Sequence, residues 1–181
     1  MYEVVNTNSY LYEIKGSKFY SFIYNVKDVN EIENILNKLK NEYQKATHYT
    51  YAYRIGNITK KSDDGEPSGT AGSPILNIIE KNKLNNTLIV VIRYFGGIKL
   101  GAGGLIRAYS KSANNLISKD NLRKIIKKET ITINTNYKNL DKILSIINKD
   151  DIINKEFGDT ITLTLNVNED EKEKIKAVNT R

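Results

Sequence analysis

The chain has 181 residues, 39% apolar and 27% charged, an ordinary balance for a soluble globular protein with room for one medium domain or two small ones. It contains no cysteine, which excludes a disulfide framework, a thiolate nucleophile and a thiolate metal site. The net charge of +7 is spread thinly: residues 1–120 hold 16 Lys and Arg against 11 Asp and Glu, and residues 121–181 hold 12 against 10. The excess is mostly Lys in a chain also heavy in Asn, Ile and Tyr, so charge alone does not indicate nucleic acid.

The opening "MYEVVNTNSYLYE" has neither a basic flank nor an apolar core, and no apolar run approaches membrane-spanning length. A cytoplasmic protein is expected, with no membrane partner. Residues 12–26 alternate as strands around a turn at Gly16. In "DVNEIENILNKLKNEY", Ile32, Ile35, Leu36, Leu39 and Tyr43 keep helical spacing, and Asp28 with Glu31 forms a capping signal.

"THYTYAYRIG" (47–56) predicts a strand with Tyr49, Tyr51, Tyr53 and Ile55 on one face and His48, Thr50, Ala52 and Arg54 on the other. Tyr51 and Tyr53 are either base-stacking side chains or core. "SPILNIIEKN" predicts a short helix with Ser73 as N-cap and Pro74 at its first helical position. "NTLIVVIRYF" (86–95) reads as a central strand covered on both faces. "LIRAYSKSANNLIS" then returns to helical spacing.

Near residue 120 the character changes. A strand, a helix (137–150), two strands turning at Gly158 and a polar helix start follow, which predicts a small ferredoxin-like βαββα domain over 121–181, short of its last strand.

Eight of the eleven glycines and both prolines fall between Gly65 and Gly104, in two loops that each run into a helix. "RYFGGIKLGAGGLIRAYS" has the strand–glycine loop–helix layout that holds an anion on backbone N–H groups. Arg93, Lys99, Gly101, Gly103, Gly104 and Arg107 are its candidate anion- or nucleic-acid-binding residues, and close helix–strand packing is the other explanation. The spacing fits neither a P-loop nor a dinucleotide fingerprint. "SDDGEPSGTAGSP" brings Asp63, Asp64 and Glu66, which could hold a hard cation, share a proton or form a solvated turn, and Asp63 or Glu66 could instead pair with Arg93 or Arg107. His48 is the single histidine, so a multi-His metal site is excluded. It joins the three acids as a candidate catalytic group, although no spacing supports a Ser-His-Asp triad with Ser62, Ser68 or Ser73.

"SDDGEPSGTAGSPIL" followed by "VVIRYFGGIKLGAGGLIRAYS", with "ATHYTYAYRIG" upstream, closely resembles the signature of the YigZ/IMPACT family over about residues 12–118. The resemblance implies an α+β protein. Its N-terminal domain (1–120) would be a two-layer α/β domain with a fold shared by a ribosomal-protein domain, a translocase domain and small-molecule kinases, left-handed crossover included. The C-terminal domain would be ferredoxin-like and similar to translation-factor modules. Eukaryotic relatives resemble translation regulators that compete for an activator of an initiation-factor kinase. They use an additional N-terminal domain with no counterpart in these 181 residues, so that mechanism is not expected here.

Together these features predict a non-catalytic cytoplasmic binding protein of translation or RNA. Its partner would be RNA, the ribosome or a translation factor, held at the Gly-rich basic loop, and no cofactor or metal is expected. The rival is a small-ligand or nucleotide-phosphate enzyme using the acidic loop with a cation.

Overall fold

The computed structural model describes residues 1–180, which divide into two compact units, Met1–Ile125 and a second beginning at Ile126. The α+β class holds in both.

The first unit is built on a five-stranded antiparallel sheet. Its strands are β2 (Asn8–Ile14), β3 (Ser17–Asn25), β4 (His48–Ile55), β5 (Ile58–Ser62) and β6 (Thr87–Tyr94), in the order β2-β3-β6-β4-β5. β6 is central because its sequence suits both faces: Leu88, Ile89, Val90, Val91 and Ile92 are all fully buried. Burying each such side chain contributes about 1.5–3 kcal/mol, so this strand anchors the unit.

Helix α1 (Val29–Glu42) joins β3 to β4, capped by Asp28, whose carboxylate accepts the Glu31 N–H at 3.0 Å. Its Ile32 and Leu39 pack with Leu88, Val90, Ile92 and the tyrosine face of β4. Helices α2 (Gly72–Lys81) and α3 (Gly101–Asn114) cover the opposite face, where Ile75, Ile79, Leu105, Ala108 and Tyr109 meet Phe19, Ile23, Ala52, Ile89 and Val91. The expected two layers are therefore three, because alternating side chains make both faces of the sheet apolar.

Two short strands, β1 (Tyr2–Val4) and β7 (Leu122–Lys124), pair with each other. β7 carries the first unit past the expected boundary at 120.

The second unit runs β8 (Glu129–Thr135), α4 (Tyr137–Leu144), β9 (Ile152–Phe157), β10 (Ile161–Val167) and α5 (Glu169–Asn179). The antiparallel sheet order is β8-β10-β9. Ile161, Leu163, Leu165 and Val167 of β10 form its core with Ile143 of α4 and Ile175 of α5. Among the described residues, no helix is long and apolar enough to cross a membrane.

Candidate functional site

The two glycine-rich segments end on the α2–α3 side of the sheet, and each resolves into distinct jobs. In the acidic loop all three carboxylates are engaged by the protein itself. Asp63 accepts the backbone N–H groups of Gly69 (2.9 Å), Ala71 (3.0 Å) and Gly72 (2.8 Å). It thereby caps α2, which begins at Gly72 and has no side-chain cap of its own.

The expected Ser73 cap is displaced: Ser73 Oγ accepts Lys61 Nζ at 2.9 Å instead. Burial pushes the Asp63 pKa upward, but the N–H groups of Gly69, Gly72 and Ala71, with Lys61 nearby, outweigh it and hold the carboxyl below its ordinary value. Asp64, with φ +41°, accepts the Tyr49 N–H through Oδ2 at 2.5 Å, while its carbonyl accepts His48 Nδ1–H at 2.8 Å. Those bonds lace the loop to β4.

Glu66 is the buried member, its side chain only 3% exposed. Its Oε1 accepts Arg93 Nη1 at 2.6 Å and the Tyr109 hydroxyl at 2.7 Å, and His48 Nε2 stands 3.8 Å from Oε2. Arg93 lies between the rings of Phe19 and Phe95, with centroid distances of 5.4 and 5.5 Å. Burial drives the Tyr109 phenol far up, and the neighbouring Glu66 carboxylate adds to this, so the hydroxyl stays protonated as a donor.

The pairing of Glu66 with Arg93 is one of the internal pairings open to the acidic loop, and it engages Glu66 within the protein. Asp63, Asp64 and Glu66 point to three different tasks. Among the described residues no three His, Asp or Glu side chains are placed to hold a metal ion. Arg93 is likewise withdrawn from the free basic residues: it is 4% exposed and committed to Glu66.

The Gly-rich segment is organised differently. Gly96 is a packing glycine, since a Cβ there would stand 1.9 Å from the Gly16 carbonyl carbon. The next element starts earlier than its sequence pattern indicates, because α3 takes "GAGG" as its first turn. Gly101 has φ +71° with open space around it, and Gly104 packs on Leu100. Gly103 faces outward, with the Arg107 Nη1 only 3.4 Å from where its Cβ would be. Among the described residues no side chain caps α3, so its first N–H groups lack the partner that Asp63 gives α2.

Beside this helix start lies a cleft of about 320 Å³ lined by Glu66, Pro67, Arg93, Phe95, Lys99, Leu100, Gly101, Ala102 and Leu105. Lys99 and Arg107 are exposed. The structure thus gathers Lys99, Gly101, Gly103 and Arg107 around one helix start, with Arg93 beneath them.

Tyr51 and Tyr53 are not part of this site. They stack on each other at 6.5 Å and pack on the α1 face, where Tyr53 is buried. The aromatic that does line the cleft is Phe95, 45% exposed, which the alternation of β6 does not single out. Tyr109 is also absent from any sequence-based site, because a tyrosine at helical core spacing reads as packing alone.

The chain matches the family model for the Impact N-terminal domain over residues 15–117, which contains every residue of the cleft. It is 50% identical over 104 residues to the IMPACT family member YvyE of Bacillus subtilis, covering 56% of this chain and 48% of that protein. With the IMPACT family member YigZ of Escherichia coli it shares 30% over 152 residues, covering 80% of this chain and 74% of that protein. The match to Protein IMPACT of Danio rerio is 37% over 95 residues, 48% of this chain and 29% of that protein. The chain spans about half the length of YvyE, as it does of the Haemophilus influenzae IMPACT family member. A crystal structure of a hypothetical protein superposes with a TM-score of 0.69 at 26% identity, covering 97% of this chain and 89% of that one. With the motif-bearing loops, the strand between them and the cleft all inside the matched region, the chain belongs to the IMPACT family.

Proposed function

We propose that the protein is a non-catalytic cytoplasmic binding protein linked to translation, which holds an RNA partner by its phosphates at the start of α3. One observation carries this reading: α3 begins uncapped at a cleft, with Lys99 and Arg107 beside it and the nearby acids committed elsewhere. A helix start carries roughly half a positive charge, and two exposed cations add to it, so an anion is the complementary partner. The chain belongs to the IMPACT family, and the resemblance of that family's eukaryotic members to translation regulators supports the link to translation by association.

RNA contact of this kind releases counterions, so affinity falls steeply as salt rises. Fluorescence anisotropy with a labelled single-stranded RNA over a salt series tests it. Lys99→Glu is expected to weaken binding and flatten the salt dependence. Undetectable binding, or binding indifferent to salt, overturns the reading.

A further inference from the structure

The cleft offers more than a place for an anion. Six of its lining residues, Pro67, Phe95, Leu100, Gly101, Ala102 and Leu105, present only apolar side chains or none. Arg93 occupies one face of the Phe95 ring, and the 45% exposure of that residue leaves ring surface for another flat group. On the buried side, both hydrogen bonds to Glu66 fall on Oε1. Oε2 is left without a donor among the described residues, since His48 Nε2 at 3.8 Å is beyond hydrogen-bond reach. Oε2 is not one of the fully enclosed unpaired atoms, so it is an acceptor that an N–H or O–H group from outside the protein can reach. Arg93 Nε, buried without an acceptor, marks the same corner as polar and incompletely paired.

An occupant that answers all of these features must carry an anionic group for the start of α3, a flat face for Phe95, and a hydrogen-bond donor for Glu66. A bare phosphate meets only the first. From this geometry we infer that the cleft takes one unpaired nucleotide of a single-stranded RNA, its base against Phe95, a base N–H toward Glu66 Oε2, and its phosphate at Gly101–Gly103. This rests on the RNA-binding reading above and makes it specific.

Every nucleobase has an N–H on its pairing edge and a π-face, so the site reads the availability of a base rather than its identity. A base-paired nucleotide cannot enter, because its pairing edge is occupied and its faces are stacked. The volume of about 320 Å³ is at the small end of ligand pockets, which suits one base and not two.

The test compares the full chain with a single-stranded oligonucleotide, the same oligonucleotide carrying abasic sites, and a fully paired duplex, all by anisotropy at one salt concentration. The single strand is expected to bind most tightly. Phe95→Leu is expected to lower its affinity roughly 5- to 150-fold, the range for losing one stacked base, and to leave abasic-strand binding unchanged. Phe95→Tyr, which keeps the ring, retains affinity and controls for damage to the fold. Equal affinity for duplex and single strand overturns the inference, as does a Phe95→Leu protein that binds like the wild type. Either result, with Lys99→Glu still weakening binding, removes the nucleotide pocket but leaves phosphate contact standing. Loss of all RNA binding by the wild type removes both.

Discussion

Helices α2 and α3 pack side by side on one face of the same sheet, yet their first turns are finished in opposite ways. At α2 a carboxylate from nine residues upstream, Asp63, closes the exposed N–H groups and sets a negative charge at the positive end of the helix. At α3 no side chain among the described residues does so, and the nearby charges, Lys99 and Arg107, have the sign a helix start disfavours. A cation in that position costs about 0.3–1 kcal/mol by the dipole argument, a cost that a bound anion reverses. The acidic loop is therefore held to the fold by its own bonds, whereas the start of α3 leaves its first N–H groups to solvent or a ligand. Both loops are rich in glycine and run into a helix, and what separates them is the sign of their charge and where their polar groups find their bonds.

If that contrast is right, damage to the acidic side lowers stability, and damage to the α3 side lowers affinity. The largest effect is expected at the joint between them. Arg93→Ala leaves the Glu66 carboxylate buried without its charged partner, which costs on the order of 3–5 kcal/mol. Denaturant unfolding measures it. A loss below about 1 kcal/mol would show that the pair is not what locks the acidic loop to the sheet.

Next comes Asp63→Asn, expected to cost about 1–3 kcal/mol, because an amide oxygen cannot serve three N–H groups as a carboxylate does. The variant also carries a pH signature. The folded pKa of Asp63 lies below its ordinary value of 3.8, so its contribution is fully present above that value and is lost as the pH falls toward the folded one. Melting temperatures of wild type and variant should differ at neutral pH and converge below about pH 3.8. A constant gap down through that range would mean that the carboxylate charge is not what holds α2.

Much of this architecture was legible in the residues themselves. α1 follows its Asp28 cap and the spacing of Ile32, Ile35, Leu36 and Leu39, and β4 places its tyrosines and its His48–Ala52 positions on opposite faces as alternation requires. β5 was not legible, because "ITKKS" is an edge strand whose exposed positions show no apolar alternation. Neither was the β1–β7 pair, whose strands are three residues each and meet from opposite ends of the unit. The site was half readable. Charge and glycine marked Lys99, Gly101, Gly103 and Arg107, but whether an acid is a ligand or a cap depends on three-dimensional partners. Asp63 reaches past Ser73 to serve α2, and Glu66 pairs across 27 positions with Arg93, contacts that no local spacing encodes.

The smallest expected effect sharpens the comparison most, because its two readouts move in opposite directions. Gly103 lies in the first turn of α3 with an ordinary helical φ and an outward-facing position. Its lone close neighbour would be Arg107 Nη1 at 3.4 Å, the end of a flexible side chain. Nothing in the packing requires glycine there, and glycine inside a helix is worse than alanine by roughly 0.5–1 kcal/mol. Gly103→Ala is therefore expected to raise stability by up to about that amount, seen as a higher denaturant midpoint with an unchanged slope. The same methyl group would stand on the side of the proposed anion contact, 3.4 Å from Arg107 Nη1, so RNA affinity is expected to drop. If Gly103→Ala gains stability and binds as well as the wild type, the start of α3 is not the point of contact.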